Sequence, residues 1–226
     1  MAPAIPAANM PGTPATKRTS AANAYSVNES GQPVRVGGTA QERAASLGKI
    51  VDWLAPGDAS HLRYWPSGGT TFCNIYAHDY CHLAGAYLPR VWWNGPALAK
   101  LAAGEVVAPQ YGVTIDEVTA NDLVPWLKKF GPTFGWQAGT TLSAVQDAAN
   151  QGAVVVIAAR HSLPGHHGHI VAVVPEVASH QARRAANDVV IPLQSQAGAS
   201  NFNYGFLDPN WWPSTTYAEF GFWIHP

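Results

Sequence analysis

Two apolar runs joined by a turn constrain this chain more than anything else in it. Ala153-Val154-Val155-Val156-Ile157-Ala158-Ala159 and His169-Ile170-Val171-Ala172-Val173-Val174-Pro175 are short, rich in β-branched residues and bounded by turn formers. Runs of this length and composition read as buried strands. The connection from His161 to Gly168 carries Pro164-Gly165, and its shortness makes the two strands antiparallel neighbours. Residues 188 to 196 read as a third strand, and Gly221 to Ile224 as a last one within an aromatic tail.

Before residue 150 the period is helical. Gln41 to Leu54 places Ala45, Leu47, Ile50, Val51 and Leu54 on one face, and Pro56-Gly57-Asp58 ends it. Thr70 or Thr71 is a natural cap for a helix running to about Tyr87. At about 100° per residue, Cys73 falls on its apolar arc with Tyr76, Tyr80 and Leu83, whereas Asn74, His78, Asp79 and His82 fall opposite. Asn121 is read as the cap of a short helix through Lys129, and Thr140 or Thr141 starts another that stops at Gly152. Helices followed by antiparallel strands define an α+β chain.

Composition excludes several functions. The 226 residues are 12% charged with a net charge of -1, and no basic run is present. Nucleic-acid binding and a polybasic membrane anchor are therefore not expected. No stretch approaches the roughly 18 apolar residues of a membrane span. Residues 1–38, rich in Ala and Pro, read as a flexible N-terminal arm without the pattern of a secretory signal, and residues 39–226 as a single domain. Cys73 and Cys81 are the two cysteines. On one helix they stand about 12 Å apart along the axis, too far to form a disulfide.

Cys73 is the candidate nucleophile, because the first turn of a helix favours a thiolate. A thiolate needs a base within hydrogen-bond reach. His169 heads a strand on which Val171 and Val173 share its face, and a packing of that face on the Cys73 arc would join ring and sulfur. A third group must hold the ring. Gln194 and Gln196 share one face of the next strand, and Gln196, at its end, is preferred. The plainer alternative is that Cys73 and His169 are both core residues.

Thr71-Phe72-Cys73-Asn74-Ile75 and Gly168-His169-Ile170-Val171-Ala172-Val173-Val174, in that order, resemble the papain-like cysteine amidases of the NlpC/P60 and CHAP type. The likeness spans roughly residues 45 to 200. Phe72 and Asn74 flank the cysteine where that family commonly has Asp-Cys-Ser or Gln-Cys, which marks a divergent member. The resemblance implies an α+β, papain-like NlpC/P60-type core with N-terminal helices packed on a central antiparallel sheet. It implies a cofactor-free cysteine hydrolase with Cys73, His169 and Gln196 as catalytic residues. Tyr64 resembles the tyrosine that this family places near the thiol, and it joins Asn74 and Gln194 as oxyanion or substrate-binding candidates.

The implied substrate is an amide of the peptide stem of peptidoglycan. The implied setting is cell-wall degradation by an antibacterial toxin, such as a type VI secretion effector, or by a phage-type lysin. Such a protein is made in the cytoplasm and exported by dedicated machinery or released by lysis to act in a target-cell periplasm. Its implied partners are a secretion-apparatus carrier and a cognate immunity protein. Two rivals stand beside this reading. One is a zinc hydrolase using His78 and His82 with His166 or His167, although a glutamate next to His78 is missing. The other is a non-catalytic module whose aromatics between residues 90 and 136 and in the tail bind glycan or protein, with Cys73 a core residue.

Overall fold

The computed structural model describes residues 4–10, 16 and 23–226. The first helix begins with a reciprocal cap. The Thr39 side chain accepts from Glu42 N at 3.2 Å, and the Glu42 carboxylate accepts from Thr39 N at 3.0 Å, so two otherwise orphaned donors are satisfied at the start of α1 (Ala40–Leu54). The second helix, α2, is Cys73–Leu83. It starts later than expected: Phe72, not Thr70 or Thr71, is the N-cap. Thr70 is committed to a tight turn, exchanging backbone bonds with Ser67 across Gly68 and Gly69, both at positive φ. Cys73 is therefore the first residue of α2.

A small ribbon follows, with β1 (Val91–Trp93) pairing β2 (Ile115–Glu117) and α3 (Gly95–Ala102) between them. Helix α4 is Ala120–Lys129, capped by Thr119 and Asp122 rather than by Asn121. The Asn121 side chain instead accepts from His161 N at 2.9 Å and donates to His166 O at 2.7 Å, tying down the turn between the central strands. Next come β3 (Gln137–Ala138) and α5 (Leu142–Asn150), the latter capped by Thr141.

The strands β4 (Val154–His161) and β5 (His169–Val173) pair as antiparallel neighbours. The expected third strand is two. Pro192 lacks an N–H, and the run divides around it. On one side, β7 (Asp188–Ile191) pairs with β6 (Arg183–Ala185) in a separate ribbon. On the other, β8 (Gln194–Gln196) pairs with β5. With β9 (Phe202–Gly205) and β10 (Tyr217–His225), the main sheet has the order β3-β10-β4-β5-β8-β9 and is antiparallel throughout. The described residues thus form a mixed α+β structure with five α-helices and antiparallel sheets.

The sheet is covered on both faces, which is why its central strands are continuously apolar. Val154, Val156, Ala158, Ile170 and Ala172 face the layer containing α1, α2 and α4. Val155, Ile157, Val171 and Val173 face α5 and Trp212.

Of the segment expected to be a free arm, residues 1–3, 11–15 and 17–22 lie outside the described residues. The described parts pack on the domain. Pro6 O accepts from the Trp93 indole at 2.8 Å, Val27 N donates to Asp79 at 3.0 Å, and Ala8 and Val27 are core residues. The segment closes the side of α2 that periodicity assigned to solvent, so His78 and Asp79 are buried rather than exposed. No helix among the described residues is long and apolar enough to cross a membrane.

Candidate active site

Cys73, His169 and Gln196 come together at one end of the sheet. The thiol of Cys73, at the tip of α2, lies within interaction range of the His169 ring, and the backbone N–H groups of Ile170 and Asn74 stand close to the sulfur. The meeting is not the face-on packing expected. Val171 and Val173, which share the His169 side of β5, look towards α5, whereas α2 lies over Ile170 and Ala172. The contact forms because both residues begin their elements at the same end of the layers.

Strand register places the third residue. Val173 pairs with Gln194 and Ala172 with Ser195, which puts Gln196 on the His169 side of the sheet. His169 Nε2 and Gln196 Oε1 are 2.8 Å apart, and Gln196 Nε2 donates to Ser200 O at 2.7 Å. A carbonyl only accepts, so the amide nitrogen of Gln196 must face Ser200 and its oxygen must face the ring. The ring therefore carries its proton on Nε2, and Nδ1 is left for the thiol. The turn behind Gln196 is held by Asn201, whose side chain accepts from Gly198 N at 2.7 Å and donates to Pro56 O and Tyr64 O, each at 2.9 Å.

Electrostatics follow from these contacts. Burial pushes the Cys73 thiol up, but the adjacent imidazole and the two N–H donors more than offset this and hold it below the ordinary thiol value. Burial pushes His169 down, but the Cys73 sulfur and Gln196 more than offset this and hold it above the ordinary imidazole value. Both shifts run towards the charged form of each group. Cys81, the other free thiol, is buried, and burial pushes it up against the opposing pull of Arg35.

Two aromatic residues complete the site, and local sequence gave no sign of either. The Trp211 ring stands edge to face on His169 at 4.6 Å, and its indole donates to Gln194 Oε1 at 3.2 Å. Gln194 is thus a support for Trp211, and its amide nitrogen donates to Pro192 O at 3.2 Å. Tyr217, 5.4 Å from Trp211, faces the sulfur electrostatically: burial and the Cys73 thiolate push its phenol up. The cue in the sequence was the aromatic tail, but nothing local marks which of its rings reach residues 73 and 169.

Tyr64 does not stand at the thiol. It is fully buried, and its hydroxyl donates to Asp79 Oδ2 at 2.8 Å beside the Arg63–Asp79 ion pair at 2.6 Å. Asn74 lines the cleft over Cys73 and donates to Val118 O at 2.8 Å. That cleft has a volume of about 260 Å³, with Thr71, Arg90, Glu117, Asn121 and His167 among its walls.

The rival metal cluster does not assemble. His78 Nδ1 lies 2.6 Å from Leu88 O and its Nε2 lies 2.8 Å from the Ser26 hydroxyl, so both ring nitrogens are committed. Burial lowers the His78 pKa to about 4, and the ring stays neutral. Asp79 is engaged by Arg63, and His166 and His167 are exposed on the turn before His169. Among the described residues, no three His, Cys, Asp or Glu side chains are grouped so as to hold a metal ion.

No family model matches this chain, and no curated protein sequence matches it.

Proposed function

We propose that this protein is a cysteine hydrolase with a papain-like core of the NlpC/P60 or CHAP type, and that it cleaves an amide bond in the peptide stem of peptidoglycan. The observation that carries the reading is the contact of a helix-tip thiol with an imidazole whose tautomer Gln196 fixes. The substrate class rests on the resemblance of the segments around Cys73 and His169 to those enzymes.

His169 Nδ1 takes the thiol proton, and the thiolate attacks the amide carbonyl carbon to form a tetrahedral oxyanion. The Cys73 backbone N–H, at the start of α2, is a donor for that oxyanion. The imidazolium returns its proton to the departing amine, the C–N bond breaks, and an acyl thioester remains. Water, deprotonated by Nδ1, attacks the thioester, the C–S bond breaks, and acid and thiol are regenerated. Gln196 holds the ring throughout, and Trp211 shields it.

In this reading the protein is an antibacterial effector or lysin. It is exported by a dedicated secretion system or released by lysis, acts in a target-cell periplasm, and is neutralised by an immunity protein in the producer. The test is release of soluble fragments from labelled peptidoglycan. Wild type is expected to release them and Cys73→Ala is not, and equal release by both would end the proposal.

A further inference from the structure

One wall of the Cys73 cleft is tied to the N-terminal segment. Arg90 and Glu117 both line the cleft and form an ion pair. The Arg90 side chain is 5% exposed and that of Glu117 is 38% exposed, so the carboxylate is the charge that the cleft presents. Behind it the guanidinium reaches in two directions. Nη2 donates to Glu117 Oε2, and Nε donates to Asn23 O at 2.9 Å. Nη1 is buried with no acceptor among the described residues. Backbone bonds carry the line on to the nucleophile: Val118 N donates to Arg90 O at 3.0 Å, and Val118 O accepts from the side chain of Asn74, the neighbour of Cys73, at 2.8 Å.

Asn23 has its own anchors, apart from the cleft walls. Its side-chain oxygen accepts from Arg63 Nη1 at 3.3 Å. Two turns further, the Ser26 hydroxyl lies 2.8 Å from His78 Nε2, and the Val27 side chain is fully buried. The seating of residues 23–27 is therefore decided away from Cys73, and Arg90 is where it meets the cleft.

A buried guanidinium depends on its acceptors. With the segment seated, Asn23 O draws Arg90 back into the wall. With the segment lifted, Arg90 loses that acceptor while Nη1 is already unpaired, and the nearest water is in the cleft. The guanidinium then moves forward beside Glu117, and the charge presented to a ligand becomes more positive.

We propose that Arg90 is a positioning residue that couples the seating of residues 23–27 to the charge of the Cys73 cleft. The coupling stands on these contacts. Its bearing on turnover rests on the hydrolase reading above, in which the seated form favours substrates with positive charge beside the reacting amide.

The test needs no substrate. The full-length protein is treated with a cationic and, separately, an anionic methanethiosulfonate of similar size, and modification of Cys73 is timed by mass spectrometry. Arg90→Met leaves Glu117 uncompensated and is expected to raise the cationic-to-anionic rate ratio about tenfold. Val27→Gln, an uncharged change too large for its buried place, lifts the segment, which faster chymotryptic cleavage after Tyr25 records. It is expected to lower the ratio about threefold, and to leave it unmoved when combined with Arg90→Met. Val27→Ala gives the same sign in smaller measure should Val27→Gln not fold. A ratio unmoved by the Val27 changes, or moved equally with and without Arg90→Met, would overturn the coupling. Coupling in a protein whose wild type leaves peptidoglycan intact would uphold this role of Arg90 and remove the hydrolase reading.

Discussion

His169 Nε2 lies 2.8 Å from Gln196 Oε1, and because Gln196 also donates to Ser200 O, this bond sets which ring nitrogen faces Cys73. An amide brings no charge. It orients the imidazole and stabilises its protonated form through a single acceptor. Gln196→Ala is expected to lower kcat by about 10- to 100-fold, within the usual contribution of a positioned acid–base group. It is also expected to move thiol alkylation to higher pH, because an imidazolium deprived of its acceptor is a weaker partner for the thiolate. Stopped-time alkylation across pH, alongside hydrolysis, checks both.

The thiolate–imidazolium pair gives a pH profile whose limbs can be assigned. Cys73 sits below its ordinary value and His169 above its own, each shifted mainly against burial by the other. Activity is expected to rise as pH climbs through the lower macroscopic pKa and to fall as it climbs through the higher one. The profile of kcat/KM measures this. A single rise near the free-thiol value would contradict the pairing.

Tyr64 distinguishes structure from chemistry. Its hydroxyl bonds Asp79 in a fully buried cluster with Arg63. Tyr64→Phe is expected to cost about 1–2 kcal/mol in urea unfolding with kcat little changed. A donor to the oxyanion would behave the opposite way, with kcat falling 100-fold or more at unchanged stability.

The Arg63–Asp79 pair fastens the described part of the N-terminal segment. Arg63 donates to Tyr25 O, and Asp79 accepts from Val27 N at 3.0 Å. Asp79→Ala strands a buried guanidinium and is expected to cost about 3–5 kcal/mol. It is also expected to open residues 23–38 to limited proteolysis. Replacing both partners, Arg63→Met with Asp79→Leu, is expected to cost less than the single change. Burial opposes ionisation of Asp79, but Arg63 outweighs it and keeps the carboxyl below its ordinary 3.8. Its contribution is therefore complete above that value and lost as pH falls through the folded-state value.

Gly168 precedes His169 for a steric reason. A Cβ there would stand 2.5 Å from Ala159 O and 2.6 Å from Asn121 Oδ1. Gly168→Ala is expected to cost about 1–3 kcal/mol. Activity is expected to fall further than stability does, because the start of β5 carries His169. Thermal melting and hydrolysis of the same preparation separate the two effects.

Local pattern in the sequence reached the elements and the order of the reactive groups. The runs at 153–159 and 169–174 are strands because β-branched residues between turns have few other uses, and Gln194 and Gln196 share a face because strand period is two. What it missed was long-range. His78 and Asp79 look polar on the helix, yet residues 23–27, more than fifty positions earlier, cover them. Tyr64 lies near Cys73 in the chain, but its hydroxyl is drawn to Asp79. Trp211 covers His169 from the far tail, and helical or strand period carries no record of such a contact.

Proton exchange between Cys73 and His169 is read most directly by alkylation with iodoacetamide at pH 6, with the modified residue located by mass spectrometry. The expected result is rapid labelling of Cys73 in wild type, labelling reduced by at least about tenfold in His169→Ala, and no labelling in either of Cys81, which is 0% exposed against 4% for Cys73. Equally slow labelling of Cys73 in both proteins would contradict it.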